Sequence, residues 1–153
     1  MKKIFIAFII TSSIIFVSCK SDEKKATTTD VAQTEADTLY KQVLDEHEEG
    51  MKGWMKIEGI QKKLKALKDS IAKFPSSAQY NSLKSKMDNV NTELSDAYKK
   101  MDVWMSEMNL DSAANDVKLR IQYLSKQKIE GGKITELINN SIQKADSLLK
   151  TNF

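Results

Sequence analysis

Between residues 83 and 108 an apolar seam runs through Leu83, Met87, Val90, Leu94, Ala97, Met101, Trp104 and Met108, in alternating steps of four and three. A strand repeats every two residues and cannot hold that pattern on one face. An α-helix packed against another helix holds it throughout. A chain with this seam is committed to helices laid side by side. The rest of the sequence agrees, because five glycines and one proline are too few for the turns of an all-β domain.

Two further segments carry the same period. From Thr34, where Thr34 and Asp37 offer a capping arrangement, the seam reads Tyr40, Leu44, His47, Met51, Trp54, Ile57, Ile60, Leu64, Leu67, Ile71 and Phe74. Gly50 and Gly53 interrupt it and weaken an isolated helix by about 1 kcal/mol each. Pro75 stops it, since the residue before a proline avoids the α region. Ser76 or Ser77 then caps a second helix, and Asn109-Leu110-Asp111-Ser112 forms a turn and a new cap. The third segment runs Ala114, Val117, Ile121, Leu124, loosens around Lys128 and the Gly131-Gly132 pair, and resumes at Ile138, Ile142, Ala145 and Leu149. The double glycine predicts a kink there. The fold expected is all-α: an elongated up-down-up antiparallel three-helix bundle over 34–153, with helices at about 35–74, 77–108 and 112–150. Small or flexible residues at Met87, Ala97 and Ala145 would leave an apolar stripe free for a protein partner or a second copy.

The chain begins differently. Lys2 and Lys3 precede a mostly apolar run from Ile4 to Val17, which ends at Ser18-Cys19. This is the layout of a secretory signal peptide, and the run is too short for a comfortable membrane span. Phe16-Val17-Ser18-Cys19 resembles the lipobox of bacterial lipoproteins, with Phe16 where leucine is usual. The resemblance implies removal of residues 1–18 and acylation of Cys19, which would hold the protein on a membrane without a spanning helix. Residues 19–33 then read as a lipid-anchored flexible tether, rich in Lys, Thr, Asp and Glu. Its Ser21-Asp22-Glu23 resembles the short acidic export tag of surface lipoproteins in Bacteroidota-type bacteria. The location expected is the outer membrane, on its periplasmic or outer face. Removing residues 1–18 takes Lys2 and Lys3 away and leaves 22 basic residues facing 21 acidic ones. Such a balance gives no reason to expect nucleic acid as a partner.

The cysteine that would be acylated is the only one, and His47 is the only histidine. These counts exclude disulfides, cysteine-based zinc sites and multi-histidine metal cages. Folding a hairpin at Pro75 pairs positions whose numbers sum to about 151, which brings His47, Met51, Trp54 and Met55 toward Met101, Trp104, Met105 and Met108. Two readings of this cluster compete. In one it is core, with methionine filling gaps and touching aromatic rings. In the other, His47, Met51, Met101 and Met105 form a Cu(I) or Ag(I) site, capped by Trp54 or Trp104 through cation–π attraction. Methionine fills gaps more often than it ligates, so the first reading takes precedence.

Asp45-Glu46-His47-Glu48-Glu49 does not make an acid–base site, because neighbouring helical residues point in different directions. Lys62, Lys63, Lys65 and Lys68 form a matching basic stretch, read as a second solvated face. No nucleophile with a base and no phosphate loop is visible. The expectation is a protein that is not an enzyme.

Three runs carry a wider resemblance: Val43-Leu44-Asp45-Glu46-His47-Glu48-Glu49-Gly50-Met51, Ala97-Tyr98-Lys99-Lys100-Met101-Asp102-Val103-Trp104-Met105, and Ser141-Ile142-Gln143-Lys144-Ala145. They resemble a family of small Bacteroidota-type lipoproteins that carry the label "viral A-type inclusion protein". The label reflects generic coiled-coil similarity and implies nothing viral. The family has no established activity, so the resemblance implies a helical lipoprotein and no particular reaction. It also implies that His47, Met51, Trp104 and Met105 recur together, which keeps the soft-metal reading open. Where members carry a proline and a second methionine after the Met51 position, this chain has Lys52-Gly53-Trp54-Met55.

Overall fold

A computed structural model of the chain describes residues 28–151. The expected signal segment 1–18 and acylation site Cys19 lie outside the described residues, as does most of the expected tether. Three helices follow in order, α1 (Thr28–Ile71), α2 (Ala78–Glu107) and α3 (Val117–Thr151), with no strand among the described residues. They form the expected all-α three-helix bundle. Trp54 meets Tyr98 and Gln61 meets Ser95, so α2 runs antiparallel to α1. Thr135 meets Glu46 and Gly53 meets Ile138, so α3 returns parallel to α1. No helix among the described residues is long and apolar enough to cross a membrane.

The helix boundaries correct the sequence reading at three points. First, α1 begins at Thr28, so residues 28–33 are helix rather than tether. The Thr34–Asp37 cap is therefore absent. Thr34 Oγ1 instead donates to the Asp30 carbonyl at 2.9 Å, and Gln33 Nε2 to Asp37 Oδ1 at 3.0 Å. Ala36 is wholly buried, and once the bundle holds it the polar residues upstream extend a helix already nucleated. Second, α3 begins at Val117 rather than 112, because the cap is Asp116. Its Oδ1 accepts from the Lys118 and Leu119 amides at 3.0 Å each. The stretch before it is a longer turn, with Asn109 Oδ1 accepting from the Asp111 amide and Ala113 held at φ 55°. Third, α1 ends at Ile71 rather than 74, while α3 continues as helix on both sides of Gly131-Gly132. Of the two candidate caps of α2, Ser77 is the one used, with its hydroxyl accepting from the Tyr80 amide at 3.2 Å.

The core explains why the glycines do not break the helices. Its buried residues on α1 are Ala36, Val43, Gly50, Ile57 and Leu64 at intervals of seven, with Gly53, Ile60 and Leu67 beside them. Upstream of Ile57 the true seam lies beside the one read from large residues. Leu44 is exposed and His47, Met51 and Trp54 are half-buried shoulder residues, because the core positions are occupied by glycine. A Cβ at Gly53 would sit 2.4 Å from Ile138 Cγ2, and one at Gly131 would sit 2.8 Å from the Trp104 indole. At these points a side chain of the facing helix fills the space a Cβ would need, and α1 packs more extensively against α3 than against α2. Every buried side-chain nitrogen and oxygen among the described residues has a hydrogen-bond partner. Thr135 Oγ1 donates to the Glu46 carbonyl across α1 and α3 at 3.2 Å, and Ser141 Oγ to the Leu137 carbonyl at 2.8 Å.

Candidate functional site

The hairpin register brings His47 to Trp104 as expected, with ring centroids 6.2 Å apart and planes tilted by 41°. Three helices meet at this point. Trp104 projects from α2 and is 5% exposed. Its Nε1 donates to Gln127 Oε1 of α3 at 2.8 Å, and its six-membered ring lies in the hollow left by Gly131. A rigid indole needs a flat recess, and glycine on the facing helix supplies one.

The other members of the cluster divide between different tasks. Met101 is 0% exposed, and its thioether and methyl lie over Gly50. Met51 and Met105 are half-buried and pack at the margin of the core. Met55 is 64% exposed and stands apart. Trp54 does not join Trp104. It stacks on Tyr98 at 4.5 Å with 19° between the planes and donates Nε1 to the Tyr98 carbonyl at 3.3 Å. Of the two rings named as caps in the metal reading, Trp104 is therefore the one beside His47, and Trp54 is engaged by Tyr98. Aromatic rings and methionines here fill space between helices, as buried ones generally do. His47 makes no hydrogen bond or ion pair with another described residue.

The acidic run splays apart. Glu46 lies beside Gly132 of α3, while Glu48 and Glu49 point to Lys52, at 3.9 and 3.0 Å. The hydrogen bond from Lys52 to Glu49 holds the lysine above its ordinary pKa. No group of three or more His, Cys, Asp or Glu side chains among the described residues could hold a metal ion.

The opposite end of the bundle carries a feature that sequence reasoning placed elsewhere. Met87, Ala97 and Ala145, expected to leave an open stripe, are buried. Leu83 and Val90 of α2 are half-buried seam residues that line a groove of about 910 Å³ together with Leu67, Ile71, Tyr80 and Leu148. The signal was present in the perfect α2 seam. Leu83 and Val90 belong to that seam but are half-buried, whereas Met87 between them is buried.

Charge is also segregated along the bundle. Residues 28–54 and 98–138, the half that contains His47, carry nine Lys and Arg against thirteen Asp and Glu, a net of −4. Residues 55–97 and 139–151, the half that contains the groove, carry ten Lys against six Asp and Glu, a net of +4. Fields of this kind steer association. The chain matches no family model, no curated protein and no solved structure.

Proposed function

We propose that the protein is a non-enzymatic, lipid-anchored helical lipoprotein of the bacterial envelope that holds an interaction surface away from the membrane. The observation that carries this reading is the polarity of the bundle. Cys19 lies just upstream of α1 in the sequence, and α1 has 44 residues in one helix. At about 1.5 Å per residue it spans roughly 66 Å. The open, basic groove lies at the end remote from the start of α1. The three sequence runs resembling small Bacteroidota-type lipoproteins support the same assignment. Cys19→Ala tests the anchor. The wild-type protein should sediment with membranes and incorporate labelled fatty acid, and the variant should do neither. A variant that stays on the membrane would end the proposal.

A second reading, a Cu(I) or Ag(I) site, draws on one observation. The His47 imidazole has no hydrogen-bond partner among the described residues and sits against the Trp104 ring, with Met51 one turn away. Thioether and imidazole donors select soft cations. The reading requires Cu(I) affinity tighter than micromolar in a competition titration under reducing conditions. That affinity should be lost in His47→Ala and weakened in Met51→Leu and Met105→Leu. Binding indifferent to all three substitutions disposes of it.

A further inference from the structure

The groove at the hairpin end has the form of a missing helix. Its floor is made of residues at seam positions: Leu83 and Val90 on α2, Leu148 on α3, and Leu67 and Ile71 on α1. Leu83, Val90 and Leu148 are half-buried, whereas Leu94, Ala97, Met101 and Trp104 further along α2 are buried. Met87, between Leu83 and Val90 on the same seam, is buried as well, so the groove is the half-open margin of the α2 seam rather than a bare face. On α2 the lining runs from Gln79 to Val90, and on α3 from Gln143 to Thr151. At about 1.5 Å per residue that is a trough roughly 12–16 Å long, the length of two to three helical turns.

Charge identifies the kind of helix that would fit. Among the lining residues Lys86 and Lys144 are charged and none is acidic. Lys144 is engaged by Glu93 at 2.8 Å, and Lys86 has no ion pair among the described residues. The whole half carries a net of +4. We infer that this groove docks an acidic amphipathic helix of a partner protein, which lays an apolar face on Leu83, Val90 and Leu148 and turns carboxylates toward Lys86. The docked segment completes a local four-helix packing, in the way amphipathic helices enter grooves elsewhere. Repulsion from the basic rim would disfavour a basic helix of the same shape.

This inference rests on the interaction-module reading, but its test does not depend on the anchor. The full chain, in detergent, is titrated with a labelled designed helix of about four turns bearing leucine on one face and glutamate on the other. A counterpart with lysine for glutamate and vesicles of anionic phospholipid are run alongside. The acidic helix should bind, and the lysine version at least about tenfold more weakly. Binding should weaken as salt rises. Leu83→Asp and Val90→Asp should each reduce affinity about tenfold or more, with helix content by circular dichroism confirming that each variant folds. Lys86→Glu, on the exposed rim, should reverse the preference between the two helices. The inference is overturned if the two helices bind alike, or if the acidic helix fails to bind. It is also overturned if vesicles bind in its place with the same sensitivity to Lys86→Glu, or if sedimentation shows a dimer that Leu83→Asp dissociates. A Cys19→Ala chain should bind the helix as the wild type does, so loss of the anchor and loss of docking are separate results.

Discussion

At the scale of single residues, the five glycines do different work, and a series of alanine substitutions separates them. Gly59 is on the solvent face of α1 with nothing within 4 Å of an added Cβ. Gly59→Ala should raise stability by about 0.5–1 kcal/mol, the intrinsic difference between the two residues in a helix. Gly132→Ala should be neutral or mildly stabilising, since the Glu46 carboxylate is 3.6–3.7 Å from the new methyl. At Gly50 the neighbours are the flexible end of Met101 and the Thr135 hydroxyl, both at 3.0 Å, so the loss there should be small. Gly131→Ala would meet a rigid indole and Gly53→Ala a β-branched isoleucine, so each should cost about 1–3 kcal/mol through overpacking. Thermal denaturation of the five variants should give the order Gly59, Gly132, Gly50, then Gly131 and Gly53, from most to least stable. If Gly53→Ala is as stable as Gly59→Ala, the close approach of α1 and α3 is wrong. None of this order is legible in the sequence. A glycine in a helical pattern reads as a weakness, and only the facing helix shows whether it is a recess.

At the scale of elements, the second helix was the most legible. Its seam, its cap at Ser77 and its end near Met108 all follow from spacing and from local hydrogen bonding. The register of the first hairpin was legible too, since a sum rule about Pro75 placed His47 beside Trp104. The first helix was misread upstream of Ile57 because the pattern was traced through large side chains, while the buried line passes through Ala36, Val43, Gly50 and Gly53. The start of α3 was misplaced because Ser112 and Asp116 are both plausible caps, and only the second has its carboxylate on two helix amides. Asp116→Ala should therefore destabilise the protein by about 1 kcal/mol, with Ser112→Ala nearly silent, as read by urea denaturation. Ala113 sits in the left-handed region, which costs an L-residue about 1–2 kcal/mol. Ala113→Gly should recover part of that cost and raise the midpoint. A lowered midpoint would mean that the turn is not held at positive φ.

For the whole molecule, the bundle is long and narrow, and its two ends differ in charge and in packing. The candidate cluster at one end was found from the sequence because histidine, methionine and tryptophan are conspicuous there. The groove at the other end was missed because a half-buried leucine and a half-buried valine look the same in a sequence as buried ones. Small-angle scattering should give a maximum dimension of at least about 66 Å, the length of α1 at 1.5 Å per residue. A compact sphere would contradict the arrangement. Truncation before Val117 should abolish cooperative unfolding, because it removes Gly131, Ile138 and the other residues on which α1 and Trp104 close. A truncated α1–α2 hairpin that still melted cooperatively would show that the hairpin is sufficient.

The pairing of the first helix with the last has a consequence for how the chain acquires its shape. The α1–α2 and α2–α3 pairs are joined by short connections, whereas the contact of Gly53 with Ile138 joins residues far apart in sequence. That contact cannot form until nearly the whole polypeptide is available. Up to that moment Trp104 has no recess to enter, and the glycines of α1 confer no benefit. Contacts of that separation slow folding, so Ile138→Ala should speed unfolding and leave the α1–α2 pairing in place, as stopped-flow fluorescence of Trp54 and Trp104 would show.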